Sequence, residues 1–243
     1  MSCRFISTLN VLLHLSLKTV APDASAVAAH FIADSACVVF TGSQYPLLNV
    51  QGTDTREFSD AISNLNFALD AVMKHPVGVY LAFHQQTELD AFTGVMAEQP
   101  IPHGLKTHIV QTGDVEQSHQ FNCLNLMMQP VALVQQVQNL RNLLSAPPHF
   151  LILQGFGTGN LAVNAELIAL FDEFYAQGCV AILSTQVPFG RTDQRYAVAA
   201  WTTQAKIIVS DCLGHADLYA KALKMYLQYP SAEARFSHWH DLG

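Results

Sequence analysis

Short apolar runs rich in β-branched residues alternate along this chain with longer amphipathic runs, and this alternation constrains the fold more than any other feature. Ala36–Phe40 reads ACVVF, Val77–Phe83 reads VGVYLAF, Phe150–Leu153 reads FLIL and Val180–Leu183 reads VAIL. Each run is short and lacks a polar face, which marks a strand covered on both sides. Between the first two, Ile62, Leu65, Leu69 and Val72 recur at helical spacing and predict a helix over Ser59–Lys74 with that stripe inward. Strand, loop, helix and strand in that order imply a right-handed parallel crossover. The pattern resumes further on. Val131–Leu144 reads as a helix with Leu133, Val137, Leu140 and Leu144 on one face, stopped by Pro147-Pro148. Val163–Tyr175 reads as a helix with Val163, Leu167, Leu170, Phe171 and Phe174 inward. Ala205–Val209 reads as a strand and His215–Leu227 as a last helix. The middle is less regular. Glu98–Gly104 reads as a proline-rich connection, Thr107–Val110 as a short strand, and Phe121–Met128 is apolar without a period. The expectation is an α/β, parallel-sheet (flavodoxin-like) protein of two lobes, residues 1–97 and 131–243, joined by an irregular stretch at 98–130.

Composition narrows the function classes. Half of the 243 residues are hydrophobic and 13% are charged, a balance that favours a packed core over disorder. The formal net charge is -7, and no Lys/Arg cluster interleaves with aromatics, so nucleic acid is not an expected partner. Five cysteines (Cys3, Cys37, Cys123, Cys179 and Cys212) are widely spaced without a CxxC, which argues against a zinc ribbon or redox dithiol and suits a reducing cytoplasm. Cys37 and Cys179 border apolar runs and read as core residues. His238 and His240 flank Trp239 and read as tail residues, so no metal is expected. Met1–Arg4, the apolar Phe5–Leu17 and Ala24-Ser25-Ala26 have the layout of a secretory signal. Asn10, His14 and Ser16 interrupt its apolar part, so the reading preferred is a strand over Val11–Leu17 feeding a helix over Ala24–Ile32. No apolar stretch reaches the ~20 residues of a membrane span, and a membrane partner is not expected.

Ligand sites in parallel sheets lie at the carboxyl ends of strands, which directs attention to the loops at Thr41, Phe83, Gln154 and Ser184. Thr41-Gly42-Ser43-Gln44-Tyr45-Pro46 sets hydroxyls at a strand end, where they either hold a small polar ligand or close a turn on the backbone. Gly155-Phe156-Gly157-Thr158-Gly159-Asn160 sits between a strand and a helix. A dinucleotide fingerprint would need glycine at position 160, where Asn stands, and an acidic residue ending the next strand, where Ser184-Thr185-Gln186 stands. The plainer reading is a turn needing positive φ, with Asn160 capping the next helix. Gly52-Thr53-Asp54-Thr55 sets Thr53 and Asp54 side by side, either as a catalytic pair or as a polar turn with a helix cap; it follows no comparable strand, and the turn is the reading preferred.

Taken together and in order, these segments resemble the asparaginase family. The resemblance is carried by VVFTGSQYPL (Val38–Leu47), SDAISNLNFALDAV (Ser59–Val72), FLILQGFGTGNLAVN (Phe150–Asn164), VAILSTQVPFGRTDQRYAV (Val180–Val198) and, loosely, GHADLYAKALKMYL (Gly214–Leu227). It implies a two-domain asparaginase-type architecture, with the N-terminal part shortened, assembled as a homodimer or homotetramer. It also implies hydrolysis of L-asparagine to L-aspartate and ammonia with no cofactor or metal. The family's opening TGGT loop, whose first Thr is the usual nucleophile, has no match. Ser16 matches the Thr of the family's later GTD and is the implied catalytic residue. Leu17 stands at the Asp of that motif, and the lysine expected after Val77–Phe83 has no counterpart. Ser43, Gln44 and Asn160 are the implied substrate-binding residues. Loss of the Asp and Lys leaves a second implied reading, a catalytically inactive member that binds a small amino acid or a protein partner.

Overall fold

The computed structural model describes residues 16–17, 21–33, 35–84, 98–100, 107–187, 192, 197–210 and 214–241. It divides into two compact units, residues 1–109 and 110–242.

The N-terminal unit opens with β1 (Ser16–Leu17), α1 (Ala21–Ile32), β2 (Cys37–Phe40) and β3 (Gly42–Ser43). It continues with α2 (Ala61–Lys74), β4 (Gly78–Ala82) and β5 (Glu98–Pro100). Strand β4 lies parallel beside β2, with Cys37 opposite Gly78 and Phe40 opposite Leu81, as the predicted crossover requires. Alternation along the strand divides its side chains between two faces. Val38, Phe40 and Val79 pack with Ala28 and Ala29 of α1. Val39, Tyr80 and Ala82 pack with Ala68 and Ala71 of α2. The unit is therefore helix, sheet, helix. Helix α1 covers the predicted Ala24–Ile32, whereas the rest of the Val11–Leu17 strand lies outside the described residues.

Helix α2 has the predicted extent but not the predicted face. Its buried positions are Ala61, Asn64, Ala68 and Ala71, while Ile62 and Leu69 are 49% and 45% exposed. The small side chains Ala68 and Ala71 pack on Val39, Tyr80 and Ala82 of the sheet, and of the predicted stripe Val72 is half-buried beside them. Glu98–Pro100, expected in an irregular connection, forms the antiparallel edge strand β5, with Tyr80 opposite Pro100. An edge is where a strand tolerates proline. Thr107–Val110 is not a strand; the His108 N–H instead donates to the His30 carbonyl at 2.9 Å.

The C-terminal unit holds α3 (Asp114–Ser118), β6 (Cys123–Met127), α4 (Leu133–Arg141), β7 (Phe150–Gly155), α5 (Ala165–Ala176), β8 (Val180–Thr185), β9 (Ile207–Val209), α6 (His215–Gln228) and α7 (Ala232–Ser237). Strands β6, β7, β8 and β9 form one parallel sheet in that order. Residues 98–130, read from sequence as a joining stretch, thus supply β5, α3 and a full strand of this sheet. Leu151, Leu153, Ala181 and Leu183 face Val137 and Leu140 of α4 and Leu167, Leu170, Phe171 and Phe174 of α5. Phe150, Ile152, Val180 and Ile182 face Leu218, Ala222 and Met225 of α6. Burying each such side chain is worth roughly 1.5–3 kcal/mol, so this double-faced core dominates the unit. Trp239, between the two histidines read as tail residues, is fully buried in the same cluster, brought there by α7. Asn160 does not cap α5. Asn164 does, its Oδ1 accepting the Leu167 N–H at 2.9 Å. No described helix is long and apolar enough to cross a membrane.

Candidate functional site

In the N-terminal unit the carboxyl ends of β2 and β4 are joined by side chains of α2. Asp60 stands at the N-cap position of α2, where an Asp ordinarily accepts an N–H of its own helix. It makes no such bond. Its carboxylate accepts instead from the loop above. The Gln44 N–H donates to Oδ1 at 2.9 Å and Oδ2 at 3.2 Å, and the Tyr45 N–H donates to Oδ1 at 3.3 Å. Asn64, one turn further on and 1% exposed, ties the parts together. Its Nδ2 donates to Asp60 Oδ2 at 2.9 Å and to the Gly42 carbonyl at 2.8 Å, while its Oδ1 accepts the His84 N–H at 2.9 Å. Ser59 adds a hydroxyl donated to the Tyr45 carbonyl at 3.1 Å. The loop after β2 and His84, two residues beyond β4, therefore hang on one Asp-Asn pair.

This clamp has a chemical consequence. The Gln44 and Tyr45 amides point at Asp60, so they are not free to stabilise an anion on the outer side of the loop. A ligand there would meet side chains instead. Ser43 is half-buried and Gln44 is exposed, and neither side chain hydrogen-bonds to another described residue. Ser16 reaches the same place through its backbone: β1 runs parallel to β3, with Ser16 opposite Gly42 and Leu17 opposite Ser43. Three of the residues assigned from sequence, Ser16, Ser43 and Gln44, are thus neighbours in one unit.

Asn160 belongs to the C-terminal unit, at the carboxyl end of its sheet. There β7 ends at Gly155 in a closed turn. The Phe156 N–H donates to the Asn160 carbonyl at 2.8 Å, and the Asn160 N–H donates to the Phe156 carbonyl at 2.7 Å. A Cβ on Gly155 would lie 2.7 Å from the Gly159 carbonyl carbon and 2.8 Å from the Asn160 oxygen, so only glycine fits. Gly157 and Gly159 take φ of 51° and 93°, the positive values expected of such a turn. The next strand end locks it. The Thr185 hydroxyl donates to the Gly157 carbonyl, and Gln186 Nε2 donates to the carbonyls of Met128 at 2.7 Å and Gln154 at 2.9 Å. His215 Nε2 donates to the Thr185 carbonyl at 3.0 Å.

The sequence reading missed Asp60 and Asn64 as site residues and Thr185 and Gln186 as supports. One signal was present for the first pair: two polar residues four apart, in phase with Ala68 and Ala71 rather than with the leucines. Gly52-Thr53-Asp54-Thr55 is an exposed turn in which Asn49 Oδ1 accepts the Thr53 N–H at 3.0 Å and the Asn49 N–H donates to the Asp54 carbonyl at 2.9 Å. His238 pairs its Nδ1 with Asp241 at 2.8 Å on the surface.

With this geometry in view, solved structures provide the comparison. The crystal structure of L-asparaginase I from Vibrio cholerae O1 biovar eltor str. N16961 matches with a TM-score of 0.63 and 20% identity, over 91% of this chain and 71% of that one. The thermostable L-asparaginase from Thermococcus kodakarensis matches with a TM-score of 0.64 and 19% identity, again over 91% of this chain and 71% of that one. The fold is that of the L-asparaginases. Identity at this level speaks for the fold alone. No family model and no curated protein matches the chain. The asparaginase-type fold places both glycine-containing loops, 41–45 and 155–160, at the carboxyl ends of parallel strands.

Proposed function

We propose that this chain is an asparaginase-like amidohydrolase, taking L-asparagine and water to L-aspartate and ammonia. The observation that supports it is the parallel pairing of Ser16 with Gly42, which sets a hydroxyl-bearing strand beside the Thr41–Tyr45 loop in a fold shared with L-asparaginases. In this reading the Ser16 oxygen adds to the side-chain amide carbon. The C–N bond breaks as the nitrogen takes a proton and leaves as ammonia, and water then cleaves the ester and restores the hydroxyl. Ser43 and Gln44 hold the substrate's polar groups, and Asn160 is the substrate-binding residue of the C-terminal unit. No cofactor enters. The assembly is a homodimer or homotetramer, and the compartment is the cytoplasm.

A second reading has its own observation. A serine nucleophile needs a base, and the residue after Ser16 is Leu17, which takes no proton. That favours an inactive asparaginase-type protein that binds a small amino acid, or a protein partner, through the same loop. One experiment separates the two. Ammonia release from L-asparagine and L-glutamine is followed with purified protein and with Ser16→Ala, alongside calorimetry with L-aspartate and L-asparagine. Release that is abolished in Ser16→Ala supports the enzyme. Binding without release supports the second reading in its amino-acid form, and absence of both removes the enzyme and the amino-acid form together. Light scattering on the eluting protein reads the assembly.

A further inference from the structure

At the amino end of the C-terminal sheet, β6 is fastened to β7 by a clasp of three hydrogen bonds. The N–H groups of His149 and Phe150 donate to the Asn122 carbonyl at 2.8 and 3.3 Å. In return the Asn122 N–H donates to the ring of His149, at Nδ1 and 3.0 Å. A backbone N–H can only donate, so Nδ1 must carry a lone pair and the imidazole must be neutral. The ring lies in an aromatic nest. Its centroid is 4.4 Å from that of Tyr226 and 6.3 Å from that of Phe121, whose plane is within 9° of its own. Phe121 in turn packs on Phe150, Tyr219 and Tyr226.

The Arg235 charge opposes protonation of the ring. From α7, the Arg235 guanidinium sits over the Tyr226 ring, 4.9 Å from its centroid. It is fixed there by Nε donating to the Tyr229 carbonyl at 2.8 Å and by an Nη group donating to the Pro230 carbonyl at 3.1 Å. From α6 the facing group is the Tyr226 phenol. On β6 the residue after Asn122 is Cys123, whose thiol burial pushes up to about 12 and keeps neutral. None of these supplies a negative charge near neutral pH.

We propose that His149 is an acid-sensitive latch: neutral, it holds the start of β6 and Phe121 against α6; protonated, it lets the segment running back from Asn122 to α3 detach while the rest of the sheet stays paired. An imidazolium has no acceptor, so protonation removes the Asn122 bond outright and sets two like charges about one aromatic ring. Burial, and then the Arg235 charge, hold His149 below the ordinary histidine value. The sign follows from that direction. Above the ordinary value, about 6.5, the folded and unfolded chains are both neutral and the latch contributes fully. As pH falls below it, the unfolded chain takes up the proton first, and the contribution is lost progressively through the depressed folded value. The latch is independent of whether the chain hydrolyses asparagine.

The test is amide hydrogen exchange of the intact chain, read at Asn122 and at Leu153 in the sheet centre and corrected for intrinsic pH dependence. It is run from about pH 8 to about pH 5, the range across which a histidine switches. Protection at Asn122 should fall about tenfold, the weight of one hydrogen bond, while Leu153 does not change. His149→Asn keeps an acceptor at the place of Nδ1 and does not titrate, so Asn122 should stay protected across the range. His149→Phe should leave Asn122 unprotected at every pH. Flat protection at Asn122 in the parent chain would overturn the proposal. So would a His149→Asn variant that loses protection with pH as the parent does. If His149→Phe fails to fold, the parent and His149→Asn comparison still decides.

Discussion

Asp60 is the residue on which the candidate site turns. Its carboxylate takes the Gln44 and Tyr45 amides and the Asn64 side chain together, and a buried donor left without its acceptor costs about 1–3 kcal/mol. Asp60→Ala strands three such donors, only part of which water can reach. It should therefore lower stability by about 2–3 kcal/mol in urea titration, with the exchange of Gln44 and Tyr45 amides accelerating most. Gly155 makes the complementary case in the C-terminal unit. A methyl there meets backbone rather than a movable side chain at 2.7–2.8 Å. Gly155→Ala should cost about 1–3 kcal/mol as overpacking does, with a lower Tm and a displaced Asn160. Both loops were legible in the sequence because serine, threonine and glycine at a strand end announce themselves within six residues. Their supports were not. Gln44 and Asp60 are sixteen residues apart, and Gln186 and Met128 fifty-eight. Nothing local in either segment names the other.

Among the elements, α2 shows what periodicity fixes and what it leaves open. The 3.6-residue repeat gave the existence and length of the helix. Its phase followed packing distance instead, because Ala61, Asn64, Ala68 and Ala71 admit a close approach to β2 and β4 that a leucine stripe would block. Helix α5 had no such conflict, since its predicted Leu167, Leu170, Phe171 and Phe174 are both the apolar stripe and the buried side chains. Strand β6 was hidden for a different reason. As an edge strand whose positions are half-buried or, at Asn125 and Met127, exposed, it lacks the uniform apolar run that marked β7 and β8. The phase of α2 yields a prediction. Ala68→Leu drives extra volume into the sheet and should cost about 1–3 kcal/mol. Leu69→Ser, one position away on the exposed face, should change stability by no more than about 0.5 kcal/mol. Thermal melts of the two variants, side by side, check the assignment. Had the sequence stripe been the buried one, their order would reverse.

At the scale of the whole chain, the two units differ in how they are held together. Among the described residues, the largest fully buried side chains, Trp239, Phe150, Phe171 and Phe174 included, all belong to the C-terminal unit. The N-terminal clusters are built mostly of alanine and valine on the two faces of β2 and β4, and small side chains contribute correspondingly less buried area. The N-terminal unit should therefore open first in denaturant, and three thiols report on it. Cys37 lies on β2, where burial raises its thiol above the ordinary value. Cys123 and Cys179 lie in the C-terminal unit, with burial pushing both up to about 12. At about pH 8 a thiol raised so far is almost wholly protonated and unreactive, whereas an unfolded one, near 8.5, is substantially thiolate. Alkylation during a urea titration, resolved by peptide mass, then reads the opening of each unit separately. Cys37 should react at lower urea than Cys179, and Cys123 should follow Cys179 because β6 and β8 belong to one sheet. If all three become reactive at one urea concentration, the chain unfolds in a single cooperative transition and the ranking of the two cores is overturned.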